Sequence, residues 1–212
     1  MIELWHCPDA RSFRPLWALE ELGLPYELHL LPFPPRVREP AYLEVNPLGT
    51  IPALKDGETF MTESAAIVQY LATRHGPSDL AVPLDDPAYG AWLNWLHFGE
   101  ATLTFPQTLV LRYRRLEPGK AEMVADDYAK WFLSRLRHVD RALADGRDWL
   151  CAERFTVADI SVGYALLLAR QLKLDERFSP AIQAYWARLA ARPGFQAAKR
   201  AQKMDLEEAL KS

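Results

Sequence analysis

The sequence predicts a mixed α/β domain over residues 1–77, a linker at 78–87 and an all-helical domain over 88–212. Three observations carry this reading. The first 30 residues run strand, helix, strand; residues 46–71 run loop, hairpin, helix; and beyond the linker the apolar residues keep a helical period. A strand-helix-strand unit closes right-handedly, so the first half of the chain has few topologies open to it.

Each element has a local cause. Ile2 to His6 is a short apolar run, read as the first strand. Pro8 to Arg11 is a loop, and Ser12 is placed to cap a helix whose first turn holds Pro15, where a missing N–H costs little. Leu16, Leu19 and Leu22 continue that helix, and Gly23 stands where a terminating glycine is wanted. Tyr26, Leu28 and Leu30 alternate with Glu27 and His29, the pattern of a half-buried strand. Pro32 to Pro40 is too rich in proline for either regular structure and reads as a surface loop. Asp56-Gly57 between two short apolar runs is a hairpin signal. Pro52 belongs at the entrance of the hairpin's first strand, because it cannot donate to a ladder. Following a tight loop, Ile51-Pro52 is a candidate for a cis bond. Ala66, Ile67, Tyr70 and Leu71 have helical spacing, out to about Arg74.

The polar, proline-marked crossing from Pro83 to Pro87 sets the boundary. Trp92, Trp95 and Leu96 begin a helix expected to bend near Pro106, and Tyr128 to Leu143 give a second. Thr156 and Asp159 have the spacing of a capping box before a buried helix through Ile160, Tyr164 and Leu168. Ile182, Tyr185 and Leu189 form a further helix, stopped at Pro193-Gly194.

Composition excludes several function classes. Twenty-five Lys and Arg face 28 Asp and Glu, a net charge of −3 with signs interspersed, so no nucleic-acid footprint is present. The cluster Arg112 to Arg115 is short, precedes Glu117 and reads as a solvated helix end. The two cysteines form no Cys-x-x-Cys, and the five histidines show no ligand spacing or pairing, so no metal is expected. No apolar run approaches the ~18 residues of a membrane span, and no charged start precedes an apolar stretch. The expectation is a cytoplasmic protein with reduced thiols.

The stretch from Asn46 to Ser64 holds the chemistry. A cis Ile51-Pro52 bond leaves the Ile51 N–H and C=O turned outward to pair with an extended peptide. The helix starting at Ser64 offers unpaired N–H groups and partial positive charge to a carboxylate. The Ser64 hydroxyl can bond that carboxylate, and Glu63 can bond an ammonium beside it. A corner that holds both groups recognises a free amino-acid end. Asn46-Pro47-Leu48-Gly49-Thr50-Ile51-Pro52, a hairpin, then Glu63-Ser64 resembles the glutathione-binding half of the glutathione S-transferase family. The resemblance implies a thioredoxin-like first domain, with glutathione as co-substrate held at Ile51, Pro52, Glu63 and Ser64. It also implies a helical domain walling the site of a small electrophile, a homodimer, and a detoxifying conjugation reaction.

A free thiol has a pKa near ~8.5. Making it mostly thiolate at neutral pH needs about two units, roughly 2.7 kcal/mol. One hydroxyl bonded to the charged sulfur supplies about 1.5–3 kcal/mol, and the positive end of a helix adds up to ~2. A single hydroxyl at a helix start is therefore sufficient, and Ser12 lies eleven residues before Gly23, at such a start. Cys7 is the alternative: Cys7-Pro8, with Arg14 after it, resembles members that form a mixed disulfide with glutathione, which would make the protein a thiol–disulfide oxidoreductase. Arg11 sits where some bacterial members carry their cysteine, and Trp5 where several classes have tyrosine. A third reading, a non-catalytic interaction module, is opposed by the intact Glu63-Ser64 pair.

Overall fold

A computed structural model of the chain describes residues 1–203. It resolves into two compact units, Met1–Ser78 together with residues 191–203, and Asp79–Ala190.

In the first unit, β1 (Ile2–His6) pairs in parallel with β2 (Tyr26–Leu30), in register from Ile2↔Tyr26 to His6↔Leu30. On its other side β1 meets β3 (Ala53–Asp56) antiparallel, and β4 (Thr59–Met61) closes the hairpin, giving the order β2-β1-β3-β4. Ile2, Leu4 and His6 are buried while Glu3 and Trp5 are half-exposed, the period of two that a one-sided sheet demands. The helices α1 (Phe13–Leu22) and α3 (Ser64–Arg74) pack on one another. His29, expected to be unpaired, lies 3.2 Å from Glu3 and 3.8 Å from Glu27, with Lys55 3.7 Å from Glu3. Strand pairing across β1 and β2 makes these neighbours, and no sequence spacing signals it. His75 likewise bonds Asp56 at 2.7 Å.

Two proline-rich stretches depart from expectation. The loop over Pro32–Pro40 contains a one-turn helix, α2 (Pro35–Arg38), followed by a 3-10 turn at Pro40–Glu44. Both begin on a proline at the first helical positions, where the ring's fixed φ suits the helix. Pro193 behaves in the same way. It ends α8 (Pro180–Ala191) but also opens α9 (Pro193–Ala201), a helix the sequence reading did not contain. Phe195 of α9 meets Phe13 and Trp17 edge-on, at 5.3 and 5.0 Å between ring centres. Arg192 forks onto the Glu21 carboxylate at 2.7 and 2.8 Å. A Cβ on Gly194 would stand 2.6 Å from the Glu21 side chain, so glycine permits this approach. The α1 helix is buried from Phe13 through Leu19 because it carries α3 and α9 as well as the sheet. Residues 191–203, assigned by sequence to the helical domain, thus group with the first unit; the rest of that assignment, 204–212, lies outside the described residues.

In the second unit α4 (Tyr89–His97), a π-helical stretch (Phe98–Thr104), α5 (Phe105–Leu111) and a second π-helical turn (Arg112–Leu116) follow without a break. Pro106 cannot donate, and the widened pitch lies just upstream of it, so the expected interruption is a change of pitch. The Arg112 to Arg115 cluster is paired rather than merely solvated: Arg112 bonds Glu117 and Arg114 bonds Asp126, each at 2.9 Å. After α6 (Glu122–Leu143) comes α7 (Val157–Gln171), whose residues 157 to 169 are all buried. A Cβ on Gly99 would fall 2.4 Å from Ser161 Oγ, and that hydroxyl donates to the Leu96 carbonyl at 2.6 Å. Glycine at 99 sets how close α7 lies. No helix among the described residues is long and apolar enough to cross a membrane.

Candidate functional site

The loop from Asn46 to Pro52 is locked by its own side chains. Asn46 Oδ1 accepts from the Leu48 N–H at 3.1 Å, and its Nδ2 donates to the Thr50 carbonyl at 2.7 Å. Tyr42 donates its hydroxyl to the same carbonyl at 2.7 Å. Gly49 has φ +61°, and a Cβ there would lie 2.7 Å from Arg36 Cβ. Both the turn and the space require glycine. Ile51-Pro52 is cis, as the position of the proline suggested. The Ile51 side chain is buried with Cys7, Leu31, Tyr42 and Ala53, so its backbone is anchored from beneath.

The second part is the start of α3. Glu63 occupies the N-cap position with extended backbone (φ −89°, ψ 111°), but its side chain is exposed and does not cap. Its carboxylate is therefore free of the role sequence most often gives a residue there. Ser64, one residue on, is only 3% exposed and accepts a hydrogen bond from Arg14 Nη1 at 3.1 Å. Ser64 is thus joined to α1 by a buried guanidinium that sequence reasoning did not place in the site.

The third part is the turn from Cys7 to Ser12. Ser12 stands at the N-cap of α1 but in helical conformation, and its side chain does not cap. Its hydroxyl accepts from the Cys7 N–H at 3.2 Å and donates to the Cys7 carbonyl at 3.4 Å, with no exposure to solvent. The hydroxyl closes the turn on itself. Cys7 is equally buried, and its thiol donates weakly to the Pro32 carbonyl at 3.7 Å. Burial pushes that thiol up to about 12, so at neutral pH it stays protonated. Trp5, the other candidate on β1, stacks on His29 at 4.6 Å.

The end of α9 holds this turn from outside. Asp9, at φ +54°, donates its N–H to Gln202 Oε1 at 3.0 Å, and its carboxylate accepts from Gln202 Nε2 at 2.6 Å and from Lys199 at 2.7 and 2.9 Å. Gln202 Oε1 also meets His6 Nε2 at 3.1 Å. Residues separated by 190 positions or more leave no local signal of such contacts; the helical spacing of Phe195 and Ala198 after Pro193 is the one hint available.

Burial lowers His6 to about 4, against the pull of its bond to Gln202. The unfolded chain takes a proton at this residue near ~6.5, before the folded chain does. Acidification between those values therefore favours unfolding, and this contribution is lost as pH falls from 6.5 towards 4. Urea unfolding at pH 7 and pH 5 should show about 2 kcal/mol less stability at the lower pH from this group. His6→Asn should lose that share of the pH dependence; an unchanged pH profile in the variant contradicts the assignment.

Sheet order and the cis proline together define a thioredoxin-like domain, joined in sequence to a helical unit. Family comparisons give this class its name. The model "Glutathione S-transferase, N-terminal domain" matches residues 10–74 and "Glutathione S-transferase, C-terminal domain" matches residues 108–193. Glutathione S-transferase GstA of Escherichia coli O157:H7 is 30% identical over 198 residues, 92% of this chain and 96% of that one. Among solved structures, a glutathione transferase from Methylococcus capsulatus superposes with a TM-score of 0.86 at 30% identity, covering 95% of this chain and 98% of its own. A sphingomonad glutathione S-transferase, solved as its complex with glutathione, superposes at 0.84 and 29% identity, covering 96% and 100%. The chain belongs to the glutathione S-transferase family.

Proposed function

We propose that the protein is a glutathione transferase that presents the glutathione thiolate to small apolar electrophiles. The observation that carries this is the corner at residues 63 and 64: an uncommitted carboxylate, a buried hydroxyl and the free N–H groups of an eleven-residue helix, in the same unit as a cis Ile51-Pro52 bond. Such a set matches the ammonium, carboxylate and extended backbone of the tripeptide. Ile51 would pair with the cysteinyl backbone, Pro52 would hold that edge outward, and Glu63 and Ser64 would grip the γ-glutamyl end. We extend the reading to a cytoplasmic homodimer with a detoxifying role, in which light scattering returns twice the chain's 24.2 kDa; a mass of one chain contradicts the dimer.

For the thiol itself, the buried Ser12 hydroxyl, already engaged with Cys7, supports a positioning role for Ser12. It holds the turn that leads into α1, and the positive end of that ten-residue helix lowers the thiol's pKa. The pH dependence of kcat/KM in an aryl-halide assay separates this from direct hydrogen bonding. In Ser12→Ala the thermal midpoint should fall while the kinetic pKa stays where it was. A rise of about two units would restore Ser12 as the direct donor. Cys7→Ala should keep conjugation activity, and the high thiol pKa of Cys7 favours no mixed-disulfide reaction at this residue.

A further inference from the structure

α1 opens without an acidic side chain in its first turn. Asp9 lies only three positions before Ser12, and a carboxylate there is ordinarily drawn to the unpaired N–H groups and partial positive charge of a helix start. Asp9 is instead turned away. Its backbone takes the left-handed region at φ +54°, which few residues other than glycine adopt, and its carboxylate is held by α9. Lys199 Nζ lies 2.7 and 2.9 Å from the two oxygens, and Gln202 Nε2 donates to one of them at 2.6 Å. These bonds fix the orientation of the amide. Its Oε1 accepts the Asp9 N–H, so His6 meets that oxygen as a donor through Nε2, at 3.1 Å. His6 has no exposure, and burial keeps it neutral at pH 7. Lys199 is then the cation that faces Asp9 from α9, with Arg11 two residues on in the turn itself.

We infer that Lys199 and Gln202 are positioning residues that act through Asp9: they keep its carboxylate off the positive end of α1, so that the glutathione thiolate alone draws on that end. This rests on the reading of the site as a glutathione site with the sulfur at the start of α1. A released Asp9 turns onto the first-turn N–H groups and competes with the sulfur for them. Its negative charge there also disfavours the thiolate directly. The ion pair on α9 thereby sets the acidity of a thiol that neither Lys199 nor Gln202 touches.

The test titrates the thiolate of the protein–glutathione complex by its ultraviolet absorbance, in variants made with and without Asp9→Asn. Asparagine tolerates the left-handed backbone and removes the charge. Lys199→Met should raise the bound thiol's pKa by about half a unit to one unit, the size of one carboxylate's field across several ångström of partly wet protein. Gln202→Leu, which changes no charge, should raise it by less. In the Asp9→Asn background neither substitution should raise it. A rise that persists there means that Lys199 acts on the sulfur by its own field, and overturns the proposal. A titration that stays at the wild-type value in both variants overturns it too, since a merely structural role lowers the thermal midpoint and leaves the thiol alone. S-methylglutathione, whose sulfur cannot ionise, should bind wild type and Lys199→Met within about twofold of each other by calorimetry. A larger loss means that α9 shapes the site as a whole, which overturns the electrostatic assignment. Should Gln202→Leu fail to fold by circular dichroism, Lys199→Met with and without Asp9→Asn decides. A wild-type chain that binds neither glutathione nor S-methylglutathione overturns the glutathione reading itself, and this inference with it; wild-type binding with an unmoved titration in the variants overturns this inference alone.

Discussion

Asp159→Ala is expected to cost the protein about 4 kcal/mol or more, a large share of the 5–15 kcal/mol that holds a typical domain. The carboxylate is fully buried and accepts from the Leu150 N–H at 3.0 Å, the Thr156 N–H at 2.9 Å, the Thr156 hydroxyl at 3.3 Å and the Tyr185 hydroxyl at 2.8 Å. Removing it orphans the Leu150 and Thr156 amides and the Tyr185 hydroxyl together, and each unsatisfied buried donor costs about 1–3 kcal/mol. The capping box fails as well, since the Thr156 N–H loses the Asp159 carboxylate and only the bond from the Ala158 N–H to Thr156 Oγ1, at 3.2 Å, is left. Burial pushes this carboxyl up to about 6 despite its donors, so the site carries a real desolvation cost that only the complete network offsets. Because α7 is the buried helix of the second unit, the loss should appear as an early cooperative transition in urea. Asp159→Asn, which keeps one acceptor, should lose less. A midpoint shift worth under about 1 kcal/mol for the alanine variant would mean the network is dispensable.

Glu63→Ala should weaken glutathione binding by at least about tenfold, the loss of one charge-assisted bond. The exposed side chain does not cap α3, so the thermal midpoint should stay unchanged. That combination, lost affinity with intact stability, distinguishes a ligand-binding residue from a helix-forming one. Fluorescence titration beside a thermal melt reads both. Affinity equal to wild type in both Glu63→Ala and Ser64→Ala would remove the corner from the binding site.

The first unit's individual strands, its hairpin and the start of α3 are readable because each leaves a signal close in sequence. A proline at a strand entrance, a glycine at positive φ beside Arg36 and a hairpin turn each leave a residue-type signature within a few positions. The capping box at Thr156 and Asp159 is local in the same way, and it is present. What sequence missed is non-local. Arg14 reaches Ser64 across 50 residues, and Gln202 reaches His6 across 196. Proline cuts both ways: the stretch around Pro35 reads as loop and Pro193 as a stop, yet a proline at a helix's first positions starts it as readily. Ser12 shows a subtler limit. Its place at the head of α1 followed from the sequence, but the direction of its hydroxyl depended on the path of the turn at Cys7.

The decisive experiment is a structure of the protein with glutathione bound. The account predicts the γ-glutamyl carboxylate within about 3 Å of the Ser64 hydroxyl and the start of α3, its ammonium against Glu63, and the cysteinyl backbone paired with Ile51. A tripeptide lying elsewhere, with the corner at residues 63 and 64 still empty, would contradict it.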